Sequence, residues 1–534
     1  MTALSEVRLI GTRGSSPPAP PEAVGAKAHG LMRLDALGVP VPPAFVLGTD
    51  LGRATLERGT LPDEGRFQLV AGVRQLEAAT GRMFGSARRP LLVSVRSGAP
   101  VSMPGMMDTV LDVGVNELSV QGLIRATGNP RLAWDCHRRL VEGFATTVRG
   151  LDPGPFEELT RRRLRADGLG SERDLDAAAL RELVRVMLRT YADLAGEPFP
   201  QDPMAQLEAA VAAVFRSYAS TRATAYRALH QIECPPGSAA LVQAMVFGNA
   251  GPASGTGVGF TRDPATGRPG LYVDFLFGGQ GEDLVSGRVA AREALRLAAA
   301  LPAVMRQVER LPSLLERAFG DVQEFEFTVE EGKLWVLQTR RAKRTPWAAL
   351  ESAVGLVRDG VIDPATALAR LEGLDLDRIE RVALEVPPGA APLATGVPAG
   401  VGAAVGTAVF DTARAQELAR DGQSVVLVRP ALSTEDLPAI AVSSGVVAAA
   451  GGRTSHAAVV ARELGKACLV DCRVLVVDAP GRCCRVGETV LREGDAVSLD
   501  ASTGQVFAGS LSVTRERPLA SLQEIERWRR LRAG

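Results

Sequence analysis

The chain is poor in the residues that mark several common protein classes. Six cysteines in 534 residues are too few for a disulfide framework, and a chain this long buries a large core without staples. Reduced thiols are expected. Neither sign of charge prevails, with 61 Lys+Arg against 61 Asp+Glu. With no sustained basic run and no aromatics interleaved with one, no nucleic-acid partner is expected. Apolar runs fall short of the roughly eighteen residues that cross a bilayer. The opening stretch, MTALSEVRLIGTRGSSPPAPP, lacks the charged-then-apolar pattern of an export signal. No membrane association is expected, and the cytoplasm is the expected location. Internal repeats and long low-complexity tracts are also missing.

What is present is a globular composition, 46% hydrophobic and 23% charged, at a length that predicts about three or four domains. Apolar β-rich runs (PLLVSVRS, AALVQAMVF, GLYVDFLFG, EFEFTVEEGKLWVLQTR) alternate with helical blocks, which predicts an α+β, multidomain chain. The first domain is expected over 1–345, with a helical insert at about 155–230. Residues 346–388 read as a connector of two or three short helices without a strand. The stretch PPGAAPLATGVPAGVGAAVG marks a hinge-like boundary. Beyond it, 389–512 is expected to fold as a small domain of short strands around one helix. Residues 513–534 form an amphipathic helix whose Leu522, Ile525, Trp528 and Leu531 need a partner surface. We read that helix as a docking surface in preference to one folded back on the chain.

Chemistry concentrates in a few strings. In AAAGGRTSHAAVVARELGK a strand ends in two glycines and a helix is expected to start at Thr454 or Ser455, placing His456 in its first turn. Helix N-termini present unpaired N–H groups and a positive dipole end, which would stabilise a phosphate on this imidazole. A neutral ring nitrogen is a competent nucleophile near pH 7, and the chain has only four histidines. An isolated Ser-His pair there is more often a polar cap.

PLLVSVRSGAPVSMPGMMDTVLDVGVN reads as strand, Gly/Met/Pro loop, strand: a hairpin able to fold over a polyphosphate, or an exposed hairpin with a surface arginine. In the first case Arg96 gives a bidentate phosphate contact, and Gly98 and Gly105 allow close backbone approach. EFEFTVEEGKLWVLQTR puts Glu324 and Glu326 on one strand face and pairs Gln338 with Arg340 on the next. Carboxylates with an amide oxygen suit magnesium, and Arg340 can neutralise a phosphoryl group; alternating acids can equally be solvated. The cluster Cys468, Cys472, Cys483, Cys484 lacks zinc-knuckle spacing and is expected to be buried thiols.

GGRTSHAAVVAR resembles the phosphohistidine motif of the phosphoenolpyruvate-utilising enzymes, with Arg453 where pyruvate phosphate dikinases have Met. The string containing MPGMMDT, which includes Gly105 and Thr109, is similar to the dikinase version, which accompanies orthophosphate as second acceptor. Lys27 in VGAKAHGL, Gln243 in LVQAMVFGN, and Glu282 and Asp283 in GGQGEDLVSG fall in order for an ATP-grasp nucleotide domain. Glu324 stands where the family has Asp. Arg139, and less closely Arg138, match a family helix near the phosphate site; a solvated helix face is the alternative.

The resemblance implies an ATP-grasp domain and a swivelling phosphohistidine domain using ATP and Mg2+. His456, Arg96 and Arg340 would be catalytic. Lys27, Arg96, Gly105, Thr109, Gln243, Glu282, Asp283, Glu326, Gln338 and Arg340 would hold nucleotide, and Glu324, Glu326 and Gln338 the metal. Implied partners are orthophosphate, and pyruvate or another small-molecule acceptor. A separate pyruvate/phosphoenolpyruvate-binding barrel protein is implied because Gly534 stands where the family's linker to that barrel begins, and a homodimer is a further expectation. A phosphotransferase with a different acceptor, and a non-catalytic phosphocarrier remnant, are the alternatives.

Overall fold

The computed structural model describes residues 7–101, 103, 106–229, 231–232, 237–281, 293–452 and 456–533. The chain divides into two compact units, residues 1–251 with 335–339, and residues 252–334 with 340–534. In outline it is a mixed α/β, multidomain chain.

The first unit contains strands β1 (Arg8–Ile10), β2 (Ala44–Leu47), β3 (Val93–Gly98), β4 (Thr109–Val113) and β5 (Ala239–Ala244). They form an antiparallel sheet in the order β1-β2-β5-β3-β4. Because side chains alternate across a strand, Phe45, Leu47, Val93, Val95, Ala240 and Val242 share a core with the helices, while Ser94, Arg96 and Gln243 face the other way. The apolar side is covered from α2 (Pro130–Gly143), α3 (Ala177–Ala195) and α4 (Pro203–Ser217), which contribute Leu140, Tyr191 and Phe215. Ahead of them lies α1 (Pro21–Ala36). Helices α2 and α4 each begin with a capping side chain followed by proline: Asn129 accepts from the Leu132 amide at 3.0 Å and Asp202 from the Met204 amide at 3.0 Å.

Strands β6 (Gly255–Arg262), β7 (Pro269–Phe277) and β8 (Gln323–Glu330) of the second unit and β9 (Lys333–Arg341), whose residues 335–339 are counted with the first, form a sheet ordered β9-β8-β6-β7. Its two faces differ sharply. One is aromatic, with Phe275 stacked on Phe327 at 5.8 Å between centroids. A Cβ at Gly257 or Gly259 would come within 2.3 Å of the Phe327 or Phe325 ring, so the alternating glycines of GTGVGF make room for the phenyl groups. The other face carries Glu324 opposite Phe260, and Glu326 opposite Val258, which in turn faces Asp274.

Helices α5 (Pro346–Arg358) and α6 (Pro364–Leu371) follow, then strand β10 (Arg381–Leu384). The expected all-helical connector therefore ends in a strand. Next come β11 (Ala394–Thr395), β12 (Val397–Pro398), β13 (Ala403–Val409), β14 (Val425–Ala431), β15 (Gly445–Ala450), helix α7 (His456–Glu463), β16 (Ala467–Val470), β17 (Ala496–Asp500) and β18 (Gln505–Ala508). These strands make one sheet ordered β11-β18-β17-β13-β14-β15-β16-β12. The second half of the Gly/Ala/Pro stretch runs through strands β11, β12 and β13 of this sheet, while 385–391 is an exposed loop. Its glycines serve close packing: a Cβ at Gly396 would meet Cys472 Sγ at 2.2 Å, and one at Gly400 the Lys466 carbonyl at 2.2 Å.

Strand β19 (Val513–Glu516) pairs with β10, and helix α8 (Leu519–Ala533) ends the described chain. The docking reading of α8 is corrected. Ile525 and Trp528 are buried in a core with Leu350, Val354, Ala367 and Leu371 of α5 and α6, and Leu522 packs against it. The apolar stripe is satisfied within the unit, and Leu531 alone of the four expected residues stays exposed.

Candidate active site

In the first unit, polar groups gather on the sheet face turned away from the helical core. Arg96, half-buried on β3, donates through Nη2 to Gln338 Oε1 at 3.0 Å and through Nη1 to the Leu337 carbonyl at 3.3 Å and Gln243 Oε1 at 3.4 Å. Thr109 stands directly opposite Arg96 on β4, giving the expected hairpin. The amide nitrogen of Gln243 is buried and has no hydrogen-bond partner among the described residues. An orphaned donor next to a guanidinium is a costly arrangement that an anionic or acceptor-bearing ligand would satisfy.

Lys27 is brought to the same strand end by a kink. Gly25 interrupts α1 with φ 77°, and a Cβ there would lie 2.1 Å from the Gly98 carbonyl oxygen. The Ala26 amide donates to the Ala99 carbonyl at 2.8 Å. Regular helix resumes after the kink, so Lys27 sits in its first turn, where the dipole favours anions. The single glycine retained ahead of Lys27 in VGAKAHGL, Gly25, is thus the one this approach requires.

In the second unit, Arg340 is held 2.5 Å from Glu324 Oε1. Burial alone would pull the Arg340 guanidinium down, but Glu324, then Glu326 and Glu463, outweigh it and keep its pKa raised. Gly451 and Gly452 follow β15, and the described part of helix α7 runs from His456. Its Ala457, Ala458 and Ala461 are buried in the small domain's core. By helical periodicity position 456 shares the opposite stripe with Val460 and Glu463. Glu463 pairs with Lys343 at 2.6 Å.

The structure thus brings Arg96, Gln243 and Gln338 together in one unit, and Glu324 and Arg340 in the other, with Glu326 acting on Arg340. Gly105, Glu282, Asp283 and Arg453 lie outside the described residues, as do the expected helix starts Thr454 and Ser455. Among the described residues no group of three His, Cys, Asp or Glu is arranged to hold a metal, so a cation here would rest on one or two carboxylates with ligand oxygens, as magnesium favours.

Arg138 and Arg139 do not form a solvated face. Arg138 is buried against Asp135 at 3.1 Å, Glu142 at 2.9 Å and Glu172 at 3.0 Å, and Arg139 contacts Asp135 at 3.1 Å. Cys468, Cys472 and Cys484 are buried, and burial pushes their thiols up to about 12, 12 and 11. Sequence reading assigned no role to Asp274, Lys343, Arg462 or Glu463, although Arg462 closes the string GGRTSHAAVVAR; only strand register or helix placement connects them to the strand acids.

Comparison with known proteins finds matches in both parts of the chain. Residues 66–310 match the family model for the pyruvate phosphate dikinase AMP/ATP-binding domain, and residues 421–504 that for the mobile domain of PEP-utilising enzymes. The chain is 38% identical over 520 residues to a pyruvate, phosphate dikinase of Rhizobium meliloti (strain 1021), covering 95% of this chain and 58% of the relative. It is 41% identical over 491 residues to pyruvate, phosphate dikinase 2 of Zea mays, covering 91% and 56%. With the Clostridium symbiosum enzyme of the same name the identity is 38% over 516 residues, covering 95% and 58%. The chain therefore spans little more than half the length of these relatives. Two domain matches in the dikinase order, and identity sustained through the sheet, the connector and the histidine helix, make the chain similar to the pyruvate phosphate dikinases over the part of them that it spans.

Proposed function

We propose that the chain is an ATP- and orthophosphate-dependent dikinase-type phosphotransferase that phosphorylates its own His456. The observation that supports this most is the place of His456 in helix α7, which follows β15 and the Gly451–Gly452 pair along the chain, in a unit whose sheet face also carries Glu324, Glu326 and Arg340. In this reading the first part of the chain is an ATP-grasp nucleotide domain and the eight-stranded module a swivelling carrier.

A neutral imidazole nitrogen of His456 attacks the β-phosphorus of ATP, the bridge to the α-phosphorus breaks, and AMP leaves with the bridging oxygen. Orthophosphate then attacks the outer phosphorus, pyrophosphate leaves, and one phosphoryl group stays on the histidine. Pyruvate, bound on a barrel outside this chain, is the proposed final acceptor. Lys27, Arg96, Gln243 and Gln338 bind and orient the polyphosphate, along with the proposed contacts Gly105, Thr109, Glu282 and Asp283. The orphaned Gln243 amide and the tight Gly25 turn fit a ligand of that kind. Glu324, Glu326 and Gln338 would hold magnesium, which when bound draws charge from the phosphoryl group in transfer. Arg340 acts beside Glu324 on the same charge. A homodimer acting in the cytoplasm completes the proposal.

The test is incubation with magnesium and ATP labelled at the β- or γ-phosphate, with and without orthophosphate, followed by intact-protein mass spectrometry. An acid-labile, base-stable adduct is expected, bearing two phosphates without orthophosphate and one with it, and absent from His456→Asn. Equal labelling of that variant refutes the assignment.

A further inference from the structure

Helix α7 carries more charge into the protein interior than a histidine carrier needs. Arg462 heads the fully buried side chains by volume, at 2% exposure. Its guanidinium carbon lies 5.5 Å from the centroid of the Phe260 ring on β6. Burial lowers its pKa, opposed by the charges of Glu324, Asp263, Glu463 and Asp274, so the guanidinium is sunk among carboxylates on and beside the β6–β9 sheet. The next residue, Glu463, reaches Lys343 just past the end of β9. Burying a guanidinium costs several kcal/mol unless carboxylates compensate it, and a leucine would fill the same space without that cost. The charge is therefore specific for the acidic sheet face.

We propose that Arg462 is a positioning residue that seats the His456 helix on the carboxylate face of this sheet, with the Lys343–Glu463 pair fixing its rotational setting. The inference rests on the reading of His456 as phosphoryl acceptor and adds how that histidine is presented. Glu463 is seven residues from His456, two turns and about 10 Å along the helix on the same stripe. Holding Glu463 over the end of β9 consequently sets the azimuth of position 456. Seating by charge also makes the contact separable, because ion pairs are made and broken without exposing an apolar surface to water.

A charge exchange tests this on the full chain. Single-turnover labelling of His456 from labelled Mg-ATP is compared for wild type, K343E, E463K and the K343E/E463K double, with ATP affinity measured by equilibrium dialysis. Each single variant is expected to slow labelling by about tenfold, since like charges then face each other, with ATP affinity nearly unchanged and the rate recovered in the double. A merely structural role would not give rescue by reversal. R462M, which keeps bulk and removes charge, is expected to slow labelling by about a hundredfold with ATP affinity nearly unchanged. Variants that label at the wild-type rate, or a double as slow as the slower single, overturn the seating while leaving the function intact. A wild type that takes no label refutes the function and the inference built on it.

Discussion

At the residue scale, the chemistry proposed for the first unit turns on Arg96, whose two terminal nitrogens already hold Gln243, Gln338 and a backbone carbonyl. Such a preorganised donor is aimed before the ligand arrives, and losing one typically lowers rate by about a hundred- to a thousand-fold. Arg96→Ala is expected to reduce ATP-dependent labelling of His456 by that order, and to weaken ATP binding much less; rapid-quench labelling and equilibrium dialysis separate the two. His137 makes a different prediction. It is buried, neither ring nitrogen has a hydrogen-bond partner among the described residues, and burial lowers its pKa from 6.5 to about 4. Between those values the unfolded chain binds the extra proton, so stability is complete above pH 6.5 and falls as the pH drops toward 4, by about 3 kcal/mol in all. Urea midpoints across that range should show this slope, and His137→Phe, which can keep the stacking on Trp134, should flatten it.

At the element scale, sequence pattern was informative where one period dominated. The alternation in EFEF placed both glutamates on one face, as the register confirms. Composition can carry two meanings. Gly/Ala/Pro richness at 387–406 reads as a hinge-like boundary, and small residues within it also let strands approach closely. Strand β10 was unreadable because its four residues show no alternation and its partner lies more than a hundred residues later. The terminal helix announced an apolar stripe without naming what covers it; the answer, α5 and α6, needs the fold. Trp528→Ala is therefore expected to cost about 3–5 kcal/mol, the range for emptying a large aromatic from a core. Chemical denaturation should show this loss, with amide exchange rising first in α5, α6 and α8.

At the scale of the whole molecule, the division into two compact units predicts that unfolding is not two-state. Calorimetry is expected to resolve two transitions. Because His137 belongs to the first unit, acidification from pH 6.5 to 4 should lower one transition through this group, and in His137→Phe that shift should shrink; a single transition insensitive to the substitution would contradict the division. Within the second unit, the eight-stranded module is entered from β10 and left into β19, and these two strands pair, Leu384 opposite Val513 and Arg381 opposite Glu516. Arg381 and Glu516 are also joined by an ion pair at 2.7 Å. Topologically the module is thus a cassette plugged into one socket: both ends cross at a single antiparallel doorway, so another cassette with adjacent ends could be spliced there without rethreading the surrounding chain.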